Sequence, residues 1–161
     1  MTACRAANFY KLVFIICCIT AAGCGKRELK ETRYPNGQLK EQYYVRIDRK
    51  GNQAGDGRYS SWYADGQVQA EETYKNGKLE GLFTTWYENG KMQVKGTYKN
   101  GKLEGLFTTW YENGQMQMEG TYKNGNLEGL FTLWDRNGLK QKEQFFRDNA
   151  IVTSKDYPPA K

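Results

Sequence analysis

Residues 81–104 read GLFTTWYENGKMQVKGTYKNGKLE, and residues 105–128 repeat them with four changes. Within each stretch apolar and polar positions alternate with a period of two, which predicts half-buried strands. The alternation breaks twice per unit, at Glu88-Asn89-Gly90-Lys91 and at Lys99-Asn100-Gly101-Lys102. Asn-Gly at the centre of a two-residue loop is the strongest short hairpin signal, because a type I′ turn needs positive φ at both residues. Each unit is therefore expected to be two antiparallel strands. The whole reads as all-β, an elongated single-layer antiparallel meander of about ten strands built from 24-residue β-hairpin repeats. No segment combines helical periodicity with the length a helix needs.

The period is carried by Trp62, Trp86, Trp110 and Trp134 and by Gly57, Gly81, Gly105 and Gly129. An earlier half-match, Tyr34-Pro35-Asn36-Gly37-Gln38-Leu39, extends the pattern upstream, so the repeat domain is expected over residues 34–149 with a C-terminal tail over 150–161. Centring the first turn on Asn89-Gly90 pairs Trp86 with Gln93, Phe83 with Gly96 and Gly81 with Tyr98. Centring the second on Asn100-Gly101 pairs Gly96 with Gly105 and Val94 with Phe107. One face then carries Phe83, Tyr87, Met92, Val94, Tyr98 and Leu103, and the other Leu82, Thr84, Trp86, Gln93, Lys95 and Thr97. Following the pairs gives rows such as Phe83, Gly96, Gly105, Tyr122, in which rings are expected to lie over bare glycine backbone. The last unit changes Met116 and Met118 to Lys140 and Lys142, a polar outer face of the kind a capping repeat needs.

The N-terminus departs from this pattern. Arg5 and Lys11 precede an apolar run from Leu12 to Ala22, too short to cross a bilayer and followed by small residues. Ala21-Ala22-Gly23-Cys24 resembles the lipobox of bacterial lipoproteins. Residues 1–23 are thus expected to be a lipoprotein signal peptide, Cys24 the lipidated residue, and 24–33 a charged spacer. Cys4, Cys17 and Cys18 leave with the signal, so Cys24 has no internal disulfide partner, and acylation gives it a role. Gly25 after the cysteine favours the outer membrane, facing the periplasm, in a cell with two membranes. Removing Arg5 and Lys11 lowers the formal charge of +6 to +4, a modest excess for an exported chain, which argues against nucleic acid. The chain has no His, hence no imidazole base, ligand or switch, and the pattern holds no nucleophile-and-base pair, carboxylate pair or metal cluster. No catalytic site, metal or cofactor is expected.

Tyr98-Lys99-Asn100-Gly101-Lys102-Leu103-Glu104-Gly105 resembles the Y-x-x-G-x-x-x-G core of MORN repeats. The longer W-Y-x-x-G spacing resembles the bacterial MORN-repeat variant of the YwqK-like antitoxin family. The resemblance implies a hairpin-repeat fold and a protein partner, a toxin among the candidates. Leu106-Phe107 follows Gly105 where the eukaryotic motif has a second glycine, so phospholipid binding is not carried over.

The candidate site is a strip on the more polar face, Trp62 with Gln69, Trp86 with Gln93, Trp110 with Gln117 and Trp134 with Gln141. One reading is a cross-strand ladder with Gln stems over indole faces; the other is a recognition strip. The function expected is a non-enzymatic, lipid-anchored repeat protein mediating protein–protein interaction at the bacterial cell envelope. The alternative is a glycan- or peptidoglycan-binding surface that uses the Trp strip.

Overall fold

The structure, a computed structural model, describes residues 26–158. Strand segments run β1 (Lys26–Arg33), β2 (Leu39–Ile47), β3 (Gln53–Trp62), β4 (Val68–Lys75), β5 (Lys78–Leu79), β6 (Gly81–Trp86) and β7 (Met92–Lys99). They continue as β8 (Lys102–Leu103), β9 (Gly105–Trp110), β10 (Met116–Lys123), β11 (Asn126–Trp134), β12 (Lys140–Arg147) and β13 (Ala150–Asp156). All belong to one antiparallel sheet in sequence order, with the two-residue β5 and β8 paired only to β4 and β7. The meander of hairpins is as the repeat pattern requires. It extends further than expected at both ends: residues 26–33, read as a charged spacer, form β1 on β2, and residues 150–156, read as tail, form β13 on β12. Six of the eight residues of β1 are charged, which suits an edge strand, where charge discourages further pairing. The expected signal peptide and Cys24 lie outside the described residues.

The two turns of a unit differ, and this resets the register. At Asn100-Gly101 both residues have positive φ, 52° and 79°, as a two-residue type I′ loop demands. At the other turn only Gly90 does, with φ 77°. There the Tyr87 N–H donates to the Lys91 carbonyl at 2.9 Å, closing a three-residue loop, and Asn89 Oδ1 accepts the Lys91 N–H at 3.0 Å. The extra loop residue is absorbed by a β-bulge between Thr85 and Trp86, with Gln93 unpaired, so Trp86 faces Met92 while Thr85 faces Val94. Phe83 still pairs with Gly96 and Gly81 with Tyr98. The expected Trp86–Gln93 pair does not form.

A second irregularity follows Glu104. Tyr98 pairs with Leu103 and Lys99 with Lys102, yet Val94 pairs with Thr109 and Lys95 with Thr108, a slip of two residues. Gly105 makes the slip with φ 82°, and Gly81 and Gly129 do the same at 87° and 80°. Gly96 consequently lies beside Phe107 rather than Gly105, and the glycine rows divide into two kinds. A Cβ on Gly96 would come within 2.6 Å of Phe83 Cε1, and one on Gly120 within 2.2 Å of Phe131 Cδ1. Around Gly105 a Cβ would meet nothing within 4 Å, so its glycine serves backbone conformation, not ring packing.

Among the described residues the rings nonetheless form most of the core on one face, together with Val45 and Ala70. Phe83 meets Tyr98 at 4.9 Å between centroids and Phe107 at 6.3 Å. Phe107, Tyr122, Phe131 and Phe146 continue edge to face at 5.4, 5.5 and 5.1 Å. Phe131 is 3% exposed, but no large side chain among the described residues is fully buried, because a single layer has no second sheet to close over it.

Hydrogen bonds one repeat apart tie the units at both edges. Tyr34, Tyr63, Tyr87 and Tyr111 donate their O–H to the carbonyls of Trp62, Trp86, Trp110 and Trp134 at 2.7–2.9 Å. On the opposite edge Glu80, Glu104 and Glu128 carboxylates accept the N–H of Asn100, Asn124 and Asp148.

Candidate functional site

The face opposite the rings is built in parallel rows. Thr84 pairs with Lys95, Lys95 with Thr108, Thr108 with Glu119, Glu119 with Thr132 and Thr132 with Glu143. The threonines in that row are 6–8% exposed, the small members between longer neighbours. Two residues further along each strand, about 7 Å away at the strand rise, lie Trp86, Trp110 and Trp134. Two residues the other way lie Leu82, Leu106 and Leu130.

All four tryptophans, Trp62 included, are half-buried. Their backbone carbonyls are held by the tyrosine hydroxyls, and burial pushes the Tyr63 phenol above its usual range. The glutamines do not face them. The bulge turns Gln69, Gln93 and Gln117 toward the hydroxyls of Ser61, Thr85 and Thr109, which lie 3.2–3.4 Å from their Oε1 atoms. In the last unit Leu133 has no hydroxyl, and Gln141 donates instead to Asp135 Oδ2 at 3.2 Å. Opposite the tryptophans stand Val68, Met92, Met116 and Lys140. The glutamines therefore stabilise bulges, and the Trp–Gln strip is not a paired unit.

The most exposed apolar residues of this face are the leucines. Leu82 is 55% exposed, Leu106 58% and Leu130 52%, and Leu130 pairs with Phe145 at 38%. They stand directly after the positive-φ glycines, at an outward position that repeats every 24 residues. The pattern assigned Leu82 to this face, but a leucine in an alternating strand carries no sign of exposure; the missing second layer supplies it. Among the described residues no group of three or more Cys, Asp or Glu side chains is placed to hold a metal ion.

The units match known ones. Residues 55–76, 79–100 and 103–124 each fit a family model described as MORN repeat variant. Three consecutive stretches of the chain are thus similar to the MORN repeat variant. Each matched stretch runs from β3, β5 or β8 through the Trp-Tyr turn to the Asn that opens the next type I′ turn, so each match covers one bulged hairpin of this chain. No curated protein matches the chain.

Proposed function

We propose that this is a binding protein without catalytic activity, anchored to the bacterial envelope through acylated Cys24, that holds a protein partner on the leucine face. The observation that carries the reading is the row Leu82, Leu106 and Leu130, each more than half exposed on a rigidly repeating scaffold. Thr97 and Thr121 stand opposite Leu82 and Leu106 on the intervening strands, and an exposed apolar row of this kind rimmed by polar residues suits an interaction site. Lys95, Glu119 and Glu143 supply such a rim. The resemblance to YwqK-like antitoxins makes a toxin the partner to look for, with this chain as its antitoxin or immunity component. The half-burial of the tryptophans lends less support to a glycan surface, which needs open ring faces.

A photoreactive phenylalanine placed at position 82, 106 or 130 in cells tests the reading. A discrete protein adduct is expected from these three and not from position 102 at the turn edge. Adducts from position 102 alone would move the binding surface off this face, and release of the adduct by glycosidase would favour the glycan alternative.

A further inference from the structure

The first unit breaks the ring-over-glycine rule, and a cavity lies where it breaks. At the positions of Phe83, Phe107 and Phe131 it has Tyr59, and at those of Gly96 and Gly120 it has Glu72, the residue paired with Tyr59. Tyr43 stands on the other side of Tyr59. Glu41, Tyr43, Val45, Gly55, Tyr59 and Tyr74 line a cavity of about 380 Å³, within the range of small-molecule sites. The Tyr59 ring lies 6.1 Å from Tyr43 at 33° and 6.3 Å from Tyr74 at 72°, so the three rings wall the space from different directions. A Cβ on Gly55 would lie 3.3 Å from the Tyr74 Cβ; its absence leaves that ring room against β3.

Each hydroxyl of the later rings is turned to a carboxylate. Tyr59 donates to Glu41 Oε1 at 3.1 Å, Tyr74 donates to Glu72 Oε2 at 2.9 Å, and Thr32 donates to Glu41 Oε2 at 3.0 Å. A phenol that donates to an anion carries more electron density in its ring, which strengthens the attraction of the ring face for a cation. At the β1 rim Lys30 faces Tyr43, and its Nζ is 2.9 Å from Glu28, which Lys26 also approaches at 2.9 Å. An anion between the rings would meet the Glu41 carboxylate and a neutral apolar group would gain nothing from it, while the Arg27 guanidinium is taken up 4.7 Å over the ring of Tyr44, another lining residue.

We propose that the Tyr43–Tyr59–Tyr74 cavity, with the Glu41 and Glu72 carboxylates behind its rings, binds an alkylammonium group. The site lies on the ring face, away from the leucine row, and does not rest on the partner reading above. A methylated ammonium head and a primary lysine-like ammonium share the chemistry.

Nuclear magnetic resonance titration of the full-length chain with labelled tyrosine rings tests it, using tetramethylammonium, Nα-acetyl-lysine amide and the neutral isostere neopentyl alcohol. Saturating shifts of Tyr43, Tyr59 and Tyr74 in the millimolar range are expected for an ammonium probe, with about tenfold weaker binding of the alcohol. Tighter binding of tetramethylammonium supports a methylated head, and of the lysine amide a peptide side chain. Glu41→Gln should weaken ammonium binding severalfold and leave the alcohol unchanged; Tyr74→Leu should weaken both. Should Tyr74→Leu fail to fold, Glu41→Gln decides alone. Equal binding of alcohol and ammonium, no saturation by either ammonium probe, or unchanged affinity in folded Glu41→Gln would overturn the proposal.

Discussion

The Tyr87 hydroxyl donates to the Trp110 carbonyl at 2.7 Å, and Tyr111 repeats the bond to Trp134 at 2.9 Å. Each tyrosine thus reads the position of the next unit, since the acceptor is backbone and fixes where the neighbouring hairpin must lie. Removing one such hydroxyl leaves a partly buried carbonyl without its donor.

Tyr87→Phe is expected to cost about 1 kcal/mol, the scale of a net hydrogen bond. Tyr63→Phe and Tyr111→Phe should cost the same within a few tenths, because all three bonds share one geometry. Urea melts of the three variants check this, and a null result at Tyr87 with normal folding would remove the bond from the account of repeat coupling.

The two kinds of glycine separate by rescue. Gly96→Ala drives a methyl into the Phe83 ring and should cost about 1 to 3 kcal/mol, as overpacking does. Trimming the ring with Phe83→Leu should recover part of that loss. Gly105→Ala meets no atom but forces a left-handed backbone, about 1 to 2 kcal/mol, and Phe83→Leu should not help it. Lys102→Asn, a change the repeats themselves contain, serves as the near-neutral control. A double-mutant cycle on thermal melts gives coupling for the first pair and none for the second.

Alkaline titration reports on Tyr74 in the first unit. Burial, and then the Glu72 carboxylate that accepts its hydroxyl, push the Tyr74 phenol to about 12. A phenol that holds its proton more tightly when folded stabilises the fold below the unfolded value near 10, and that contribution is lost as pH rises from about 10 to about 12. Burial also raises Tyr59, Tyr63 and Tyr122, so tyrosinate absorbance should contain several late components, from which Tyr74→Phe removes one, and the stability of Tyr74→Phe should fall less steeply across that interval.

Acylation is the fourth expectation. Labelled palmitate should enter the wild-type chain and not Cys24→Ser, which should leave the membrane fraction. Equal labelling of both would exclude the anchor.

How much of this could be read from the sequence depended on what the period controls. Hairpins, strand order and the pairing of Phe83 with Gly96 follow from alternation and Asn-Gly spacing, which are local. The Trp86–Gln93 pairing does not, because Glu88-Asn89-Gly90-Lys91 and Lys99-Asn100-Gly101-Lys102 share a dipeptide yet close loops of three and two residues. The compensating bulge at Gln93 leaves the rest of the strand in place and alters only the pairs beside the turn, where the candidate strip was drawn. Gly105 and Gly96 were likewise indistinguishable as letters, one chosen for φ and the other for space. The strands at 26–33 and 150–156 lacked the repeat and took their structure from neighbours.

The inter-unit bonds also create a competitor during folding. Residues 81–104 and 105–128 offer the same tyrosine donor, the same tryptophan carbonyl and the same glutamate at each edge, so a hairpin docked one cassette out of place satisfies nearly every bond its neighbour offers. What tells the cassettes apart is four internal exchanges, Lys91 for Gln115, Val94 for Met118, Lys95 for Glu119 and Lys102 for Asn126, and the flanks, Glu72 on one side and Leu133 and Lys140 on the other. A refolding chain that slips by 24 residues meets little resistance until those few positions and the ends fail to fit, and correcting it means unzipping a whole ladder.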